Sequence, residues 1–234
     1  AEGVDVLIVN LVQSTAASAV TELAKAADIP VVYINREPSE TDMAAWEGKI
    51  AYVGADARQS GTMQGQIVYD REDHGDLNGN GTVDYVMIVG DPENVDAQYR
   101  TEYSIKCLTD NGVAVNKLFE QRGDWDRAKG QELAATALAQ FGDQIDVIFC
   151  NNDAMALGAY QAIVSAGRKV NKDILLLGVD ALDECQEMVA NGEMTGTVLN
   201  DHIGQSHKAA DVAAEAAKGE AIDAYYWVDY QMIK

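Results

Sequence analysis

Val147-Ile148-Phe149-Cys150-Asn151-Asn152-Asp153-Ala154-Met155-Ala156 is the stretch that decides the fold. Four consecutive apolar residues stop at two amides and a carboxylate, and an Ala-rich helical run, 153–166, follows. An unbroken apolar run of this kind fits a strand covered on both faces, as in a parallel sheet. The polar residues at its end suit a helix start, where a side-chain oxygen accepts a backbone N–H.

The same unit repeats in both directions. Strand candidates are 4–9, 31–34, 51–53, 85–89, 147–150, 174–179 and 197–199. Between them lie helical stretches at 14–27, 59–70, 96–111, 127–140, 153–166, 184–191 and 203–218. Strand-then-helix alternation predicts an α/β fold with parallel sheets flanked by helices and right-handed crossovers. In such sheets ligands sit off the carboxyl ends of the strands. Those ends are polar here: Asn35 follows Ile34, Asn151-Asn152-Asp153 follows Cys150, Asp180 follows Val179, and Asn200-Asp201 follows Leu199. Two readings stand, helix caps or the lining of a polar crevice.

Composition narrows the function. The 234 residues carry a net charge of −21 with no basic cluster, which argues against nucleic acid and anionic membrane as partners. No apolar run approaches the roughly 18 residues of a membrane helix. The three cysteines, Cys107, Cys150 and Cys185, are odd in number, which rules out a fully paired framework within one chain; they read as buried thiols, the alternative being one disulfide plus one free thiol. The three histidines, His74, His202 and His207, sit in no zinc-type or triad-type context, and no nucleophile elbow is present. The expectation is a binder, not an enzyme. The chain opens at Ala1-Glu2-Gly3 directly before an apolar run, which reads as a cut inside a domain.

Three segments carry chemistry. Asp76-Leu-Asn78-Gly-Asn80-Gly81-Thr82-Val-Asp84 has oxygen donors at positions 1, 3, 5 and 9 of a calcium-type loop and glycine at position 6. Position 12 is Met87, so a remote carboxylate is required; otherwise the segment is a solvated turn. Asp96 and Arg100 stand one helical turn apart, as an ordinary ion pair or as a coupled acceptor and donor for sugar hydroxyls. Trp125, in Gly123-Asp-Trp-Asp126, either covers core or offers a flat face to a pyranose ring.

Together Tyr-Ile-Asn35-Arg-Glu-Pro, the 76–84 loop, Asp96…Arg100, Trp125-Asp, Asn151-Asn152-Asp153-Ala-Met-Ala, Gly-Val-Asp180-Ala and Thr-Val-Leu-Asn200-Asp resemble the periplasmic glucose/galactose-binding proteins, in order and spacing through nearly the whole chain. The resemblance implies a two-lobed periplasmic-binding-protein-like fold with sugar in the cleft. Residues 1–54 plus 201–228 would form an N-terminal lobe and 55–200 plus 229–234 a C-terminal lobe with the calcium loop. The implied sugar ligands are Asn35, Asp96, Arg100, Asn152, Asp180 and Asn200, with Trp125 on one ring face. Asn94 stands where the family has a histidine. The implied Ca2+ ligands are Asp76, Asn78, Asn80, Thr82 by its carbonyl, Asp84 and Asp146; Asn80 replaces an aspartate and Asp146 a longer glutamate.

The implied function is hexose binding, of glucose or galactose, for a sugar ABC permease or a chemoreceptor, in the periplasm or as an extracellular lipoprotein. Two alternatives stand beside it: a LacI-type effector-binding regulator core, and a shortened paralogue that binds no sugar and serves as an interaction module. Two strand–helix units of the family's N-terminal lobe have no counterpart here. An incomplete lobe with an open sheet edge, weak sugar binding and self-association are therefore expected.

Overall fold

A computed structural model describes residues 3–234; Ala1 and Glu2, on which the reading of the chain's start rests, lie outside them. In chain order the first elements are β1 (Leu7–Asn10), α1 (Ala17–Ala26), β2 (Val31–Ile34), α2 (Glu40–Met43), β3 (Ile50–Gly54), α3 (Ala57–Tyr69), β4 (Val83–Val89), α4 (Val95–Asp110) and β5 (Val115–Arg122). There follow α5 (Arg127–Phe141), β6 (Val147–Cys150), α6 (Asp153–Ser165), β7 (Leu175–Leu177), α7 (Asp183–Ala190), β8 (Thr197–Leu199), α8 (His202–Ala217), β9 (Tyr225–Trp227) and β10 (Gln231–Ile233).

The chain divides into two compact units. The first takes in the described chain through Asp56, with Asn94–Asp96 and Asp201–Asp229. Its sheet runs β1-β2-β3-β9, all parallel. Val31, Val32 and Tyr33 on β2 and Ile50 to Val53 on β3 are buried, which is why these runs read as uninterrupted apolar strands. One face packs on Leu11, Ala17, Ala24 and Met43, the other on Ala209, Val212, Ala213 and Ala216 of α8. β1 is the edge strand and alternates half-buried with exposed residues.

The second unit holds Ala57–Glu93, Ala97–Asn200 and Tyr230–Lys234. Its parallel sheet runs β5-β4-β6-β7, and the backbone of β8 continues it through bonds such as Gly178 N–H to the Gly196 carbonyl (3.1 Å). β10 adds antiparallel to β8. Every residue of β4 and β6 is buried, the mark of central strands. The core gathers Ile88, Ile148, Met155, Ile163, Ile174 and Leu176.

The structure departs from the sequence reading in places. β5 is an edge strand carrying Lys117, Glu120, Gln121 and Arg122, so it lacks the apolar run that marks the others. β9 and β10 lie outside the strand candidates; each is three residues long and completed by pairing with β3 and β8. The first strand begins at Leu7 instead of Val4, and the 174–179 run shortens to β7. All three cysteines are buried and free. No helix among the described residues is long and apolar enough to cross a membrane.

Candidate functional site

Strands β4, β6 and β7 end on one polar cluster within the second unit. Arg100, buried on α4, donates from Nη1 to the Asn151 carbonyl (2.8 Å) and from Nη2 to the Tyr230 hydroxyl (3.2 Å). Asp180 Oδ1 lies 3.9 Å from the same Nη1, with a third of its side chain exposed. The guanidinium also stands over the Trp125 ring, 5.7 Å from its centroid, in cation–π range.

Asn151 is the scaffold beneath this cluster. Its Oδ1 accepts from Gly90 N–H (2.9 Å) and its Nδ2 donates to the Thr101 hydroxyl (3.1 Å), so one buried amide ties the ends of β4 and β6 to α4. Trp125 lies across Gly90: a Cβ at residue 90 would collide with the indole. The turn presenting Trp125 has positive φ at two non-glycine residues, Asp124 (52°) and Trp125 (64°). Asp180 (115°) and Ala181 (52°) are strained in the same way, and Asn35 (65°) takes the left-handed form that asparagine tolerates better. Strained backbone gathers at residues that the fold must present in one orientation.

Two candidates serve as caps. Asn152 caps α6, its Oδ1 accepting from Met155 N–H (3.0 Å), while its Nδ2 faces the Trp125 carbonyl (3.4 Å). Asn94 accepts from Asp96 N–H (2.8 Å) and so holds the start of α4. Asp96 lies one turn before Arg100 on that helix, and Asn200 follows β8 directly. In the first unit, Asn35 ends β2; its carbonyl accepts from the Tyr52 hydroxyl (2.8 Å) and its Nδ2 reaches Asn10 Oδ1 (3.4 Å). Tyr52 meets the stacked pair Tyr225 and Trp227 edge-on, and Trp227 is largely exposed.

At the opposite ends of β4 and β6 lies the 76–84 loop. The Asp146 carboxylate, buried, accepts from Asn78 N–H (3.0 Å) and Asp84 N–H (2.9 Å) and from Asn78 Nδ2 (3.2 Å). Asp76 accepts from Asn80 and Gly81 N–H, and Asn80 Nδ2 donates to Asp84 Oδ2 (2.7 Å). Burial raises the Asp146 carboxyl above its ordinary range; the two N–H bonds oppose this, and the charges of Asp84 and Asp76 add to it. Carboxylate and amide oxygens suit a hard cation, and a cation relieves that like-charge repulsion. Among the described residues no three acidic, His or Cys side chains converge tightly enough to hold a metal by themselves, so the amides of Asn78 and Asn80 would have to turn their oxygens inward.

Sequence reasoning missed several partners. Tyr230 reaches Arg100 from the chain's tail, its own N–H held by Gln59 Oε1 (2.7 Å), and no local pattern announces it. Asn116 Nδ2 reaches Asp84 Oδ1 (2.6 Å) from the overlooked β5. Asp153 and Thr197, both buried, support the Asp180 turn.

Polar side chains and an indole at the carboxyl ends of parallel strands, with the arginine already matched to a carboxylate, define a site built to hold a neutral polar ligand. The chain belongs to the family described as periplasmic binding protein domain, whose model matches residues 1–221. It is therefore a binding protein and not an enzyme. It is 35% identical to the D-galactose/methyl-galactoside binding periplasmic protein of Haemophilus influenzae over 94% of this chain and 66% of that one. It is 34% identical to a putative rhizopine-binding protein of Rhizobium meliloti, over its whole length and 72% of the relative. A solved ABC transporter solute-binding protein from Bacillus halodurans with bound myo-inositol superposes with a TM-score of 0.85 at 28% identity, over 99% of this chain and 75% of that one. The chain thus spans about two thirds to three quarters of the length of these relatives.

Proposed function

We propose that this chain is the ligand-binding part of a periplasmic solute-binding protein serving a sugar ABC transporter, and that its ligand is a hexose, glucose or galactose. The observation that carries the reading is the cluster at the ends of β4, β6 and β7. Arg100 offers donors, Asp180 offers an acceptor, and Trp125 offers a flat apolar ring beside them. A pyranose presents vicinal hydroxyls at its rim and C–H groups on its faces, so it satisfies all three at once. Asn152 and Asn200 are further candidate hydroxyl partners, and Asn35 and Asp96, which belong to the first unit, carry the same chemistry. The galactose-binding relative supports hexose; ring polyols such as the inositol held by the Bacillus protein present the same rim of hydroxyls.

Isothermal calorimetry against D-galactose, D-glucose, D-ribose and myo-inositol tests this directly. Heat from D-galactose or D-glucose, lost in Trp125→Ala and Asp180→Ala without a large fall in Tm, is the expected result. No heat from any of the four overturns sugar binding; preference for ribose or inositol overturns the hexose assignment alone.

The loop supports a second assignment. We infer that Ca2+ is held by Asp76, Asn78, Asn80, Asp84 and the Thr82 carbonyl, with Asp146 supplying the carboxylate that Met87 cannot. The bound ion would neutralise the acidic cluster and brace the junction of β4 and β6.

A further inference from the structure

The Asp180 turn is held by a group that neither site uses. Asp153, the first residue of α6, is completely buried, yet no cation touches its carboxylate among the described residues. Its Oδ2 accepts from Leu182 N–H (2.8 Å) and its Oδ1 from the Thr197 hydroxyl (2.7 Å). Thr197 in turn accepts from Ala181 N–H (3.3 Å), and Asp153's own N–H donates to the Val179 carbonyl (2.7 Å). These bonds bracket Asp180 and Ala181, the two residues with positive φ. At residue 178 a Cβ would collide with Asp153 Oδ1, so glycine there is what lets the carboxylate lie beneath the turn.

We propose that Asp153 is a positioning residue: its carboxylate holds the 180–182 turn in its strained form and thereby sets where the Asp180 carboxylate stands before Arg100. A turn with φ of 115° at an aspartate relaxes unless its surroundings over-determine it. Leu182 N–H on the carboxylate, Ala181 N–H on the Thr197 hydroxyl bound to that carboxylate, and Asp153's own N–H on the Val179 carbonyl together do so. The inference rests on Arg100 and Asp180 being sugar ligands, and its consequence is a sugar affinity that depends on the ionisation of Asp153. Burial raises that carboxyl to about 7; the Thr197 and Leu182 bonds oppose the rise, the Asp180 charge adds to it, and a Cys185 bond opposes it. The other titratable groups facing it are the buried thiols Cys150 at the end of β6 and Cys185 on α7. Protonation removes acceptor capacity from the bracket, so affinity falls as pH drops through about 7.

The test compares wild type, Asp153→Asn, Thr197→Val and Thr197→Ser by calorimetry with D-galactose, and by sugar-free fluorine NMR of 5-fluorotryptophan-labelled protein over roughly pH 5.5 to 8.5. The Trp125 resonance senses Arg100 above its ring independently of any sugar. Asp153→Asn should weaken D-galactose roughly tenfold or more, Thr197→Val less, with Thr197→Ser near wild type. In wild type the Trp125 resonance should titrate near pH 7 while those of Trp46 and Trp227 stay still, and Asp153→Asn should abolish that titration. A folded Asp153→Asn protein with wild-type affinity and an unchanged Trp125 titration overturns the proposal. If Asp153→Asn does not fold, Thr197→Val decides, and wild-type affinity and resonance in that variant overturn the proposal equally. If wild type binds no D-galactose, the sugar reading fails on its own and the fluorine titration alone decides the role of Asp153.

Discussion

The two ends of β4 and β6 place carboxylates in opposite settings. At the carboxyl ends Asp180 faces Arg100, whose guanidinium also meets the Asn151 carbonyl, Tyr230 and Trp125. At the amino ends Asp76, Asp84 and Asp146 face backbone N–H groups, amides and one another. Arg168 is near enough to feel Asp146, but it donates to the Gly142 and Asp173 carbonyls instead. One end carries its own counter-charge and is matched to a neutral, hydroxyl-bearing ligand. The other holds its acidic residues by dipoles and so invites a cation. A charged side chain near a carboxylate says little about ligands until its partner is known.

Removing the internal counter-charge should have the largest effect. Arg100→Met removes the ion pair to Asp180 and the hydrogen bond to the Asn151 carbonyl; we expect no measurable sugar binding and a loss of about 3 kcal/mol in urea unfolding. Unchanged stability would mean that the arginine is a ligand donor only, with no part in holding the strand ends.

The acidic end should respond to calcium instead. At a hundredfold excess over Kd, calcium should add about 2.7 kcal/mol, seen as a higher Tm than in chelator. Asp146→Asn should erase that increment and cost little in chelator, because the mutation also relieves repulsion from Asp84 and Asp76. Identical melts of wild type with and without calcium would return the loop to a simple turn.

The pH dependence of stability separates Asp153 from carboxylates such as Asp73 and Asp124, which their cationic partners lower. Its folded-state value of about 7 lies above its ordinary 3.8, so between these values the folded protein holds a proton that the unfolded chain has released. Stability contributed at this site therefore falls as pH rises across that window, by up to about 1.4 kcal/mol per pH unit. Asp153→Asn should remove that component, read as the difference between the two proteins in urea melts.

The smallest effect distinguishes cap from ligand. Asn152→Ala should cost about 1 kcal/mol by losing the α6 cap. Asn152→Asp keeps the capping oxygen, so it should keep the Tm. If affinity then falls, the lost Nδ2 donor served the sugar; if affinity holds, the residue is a cap alone.

Much of this was legible in the chain itself. Continuous apolar runs such as Val147–Cys150 mark central parallel strands because burial on both faces leaves no room for polar alternation. The polar residues ending those runs point to the carboxyl-end cluster. The spacing of Asp76, Asn78, Asn80 and Asp84 marks a tight polar turn ahead of β4, because that pattern is local. The edge strand β5 and the three-residue β9 and β10 were illegible, since their stability comes from neighbours distant in sequence.

Local periodicity and spacing thus determined the fold class and the strand ends, because each depends on residues within a few turns of one another; the full candidate ligand sets came from the resemblance. Tertiary structure alone decided the roles. It set Arg100 between Asn151 and Tyr230, 130 residues away along the chain, and turned Asn152 and Asn94 into caps. It also placed Asp153 beneath the strained turn at Asp180. A side chain's role depends on which donors and acceptors surround it after burial, and those partners come from segments that only folding brings together.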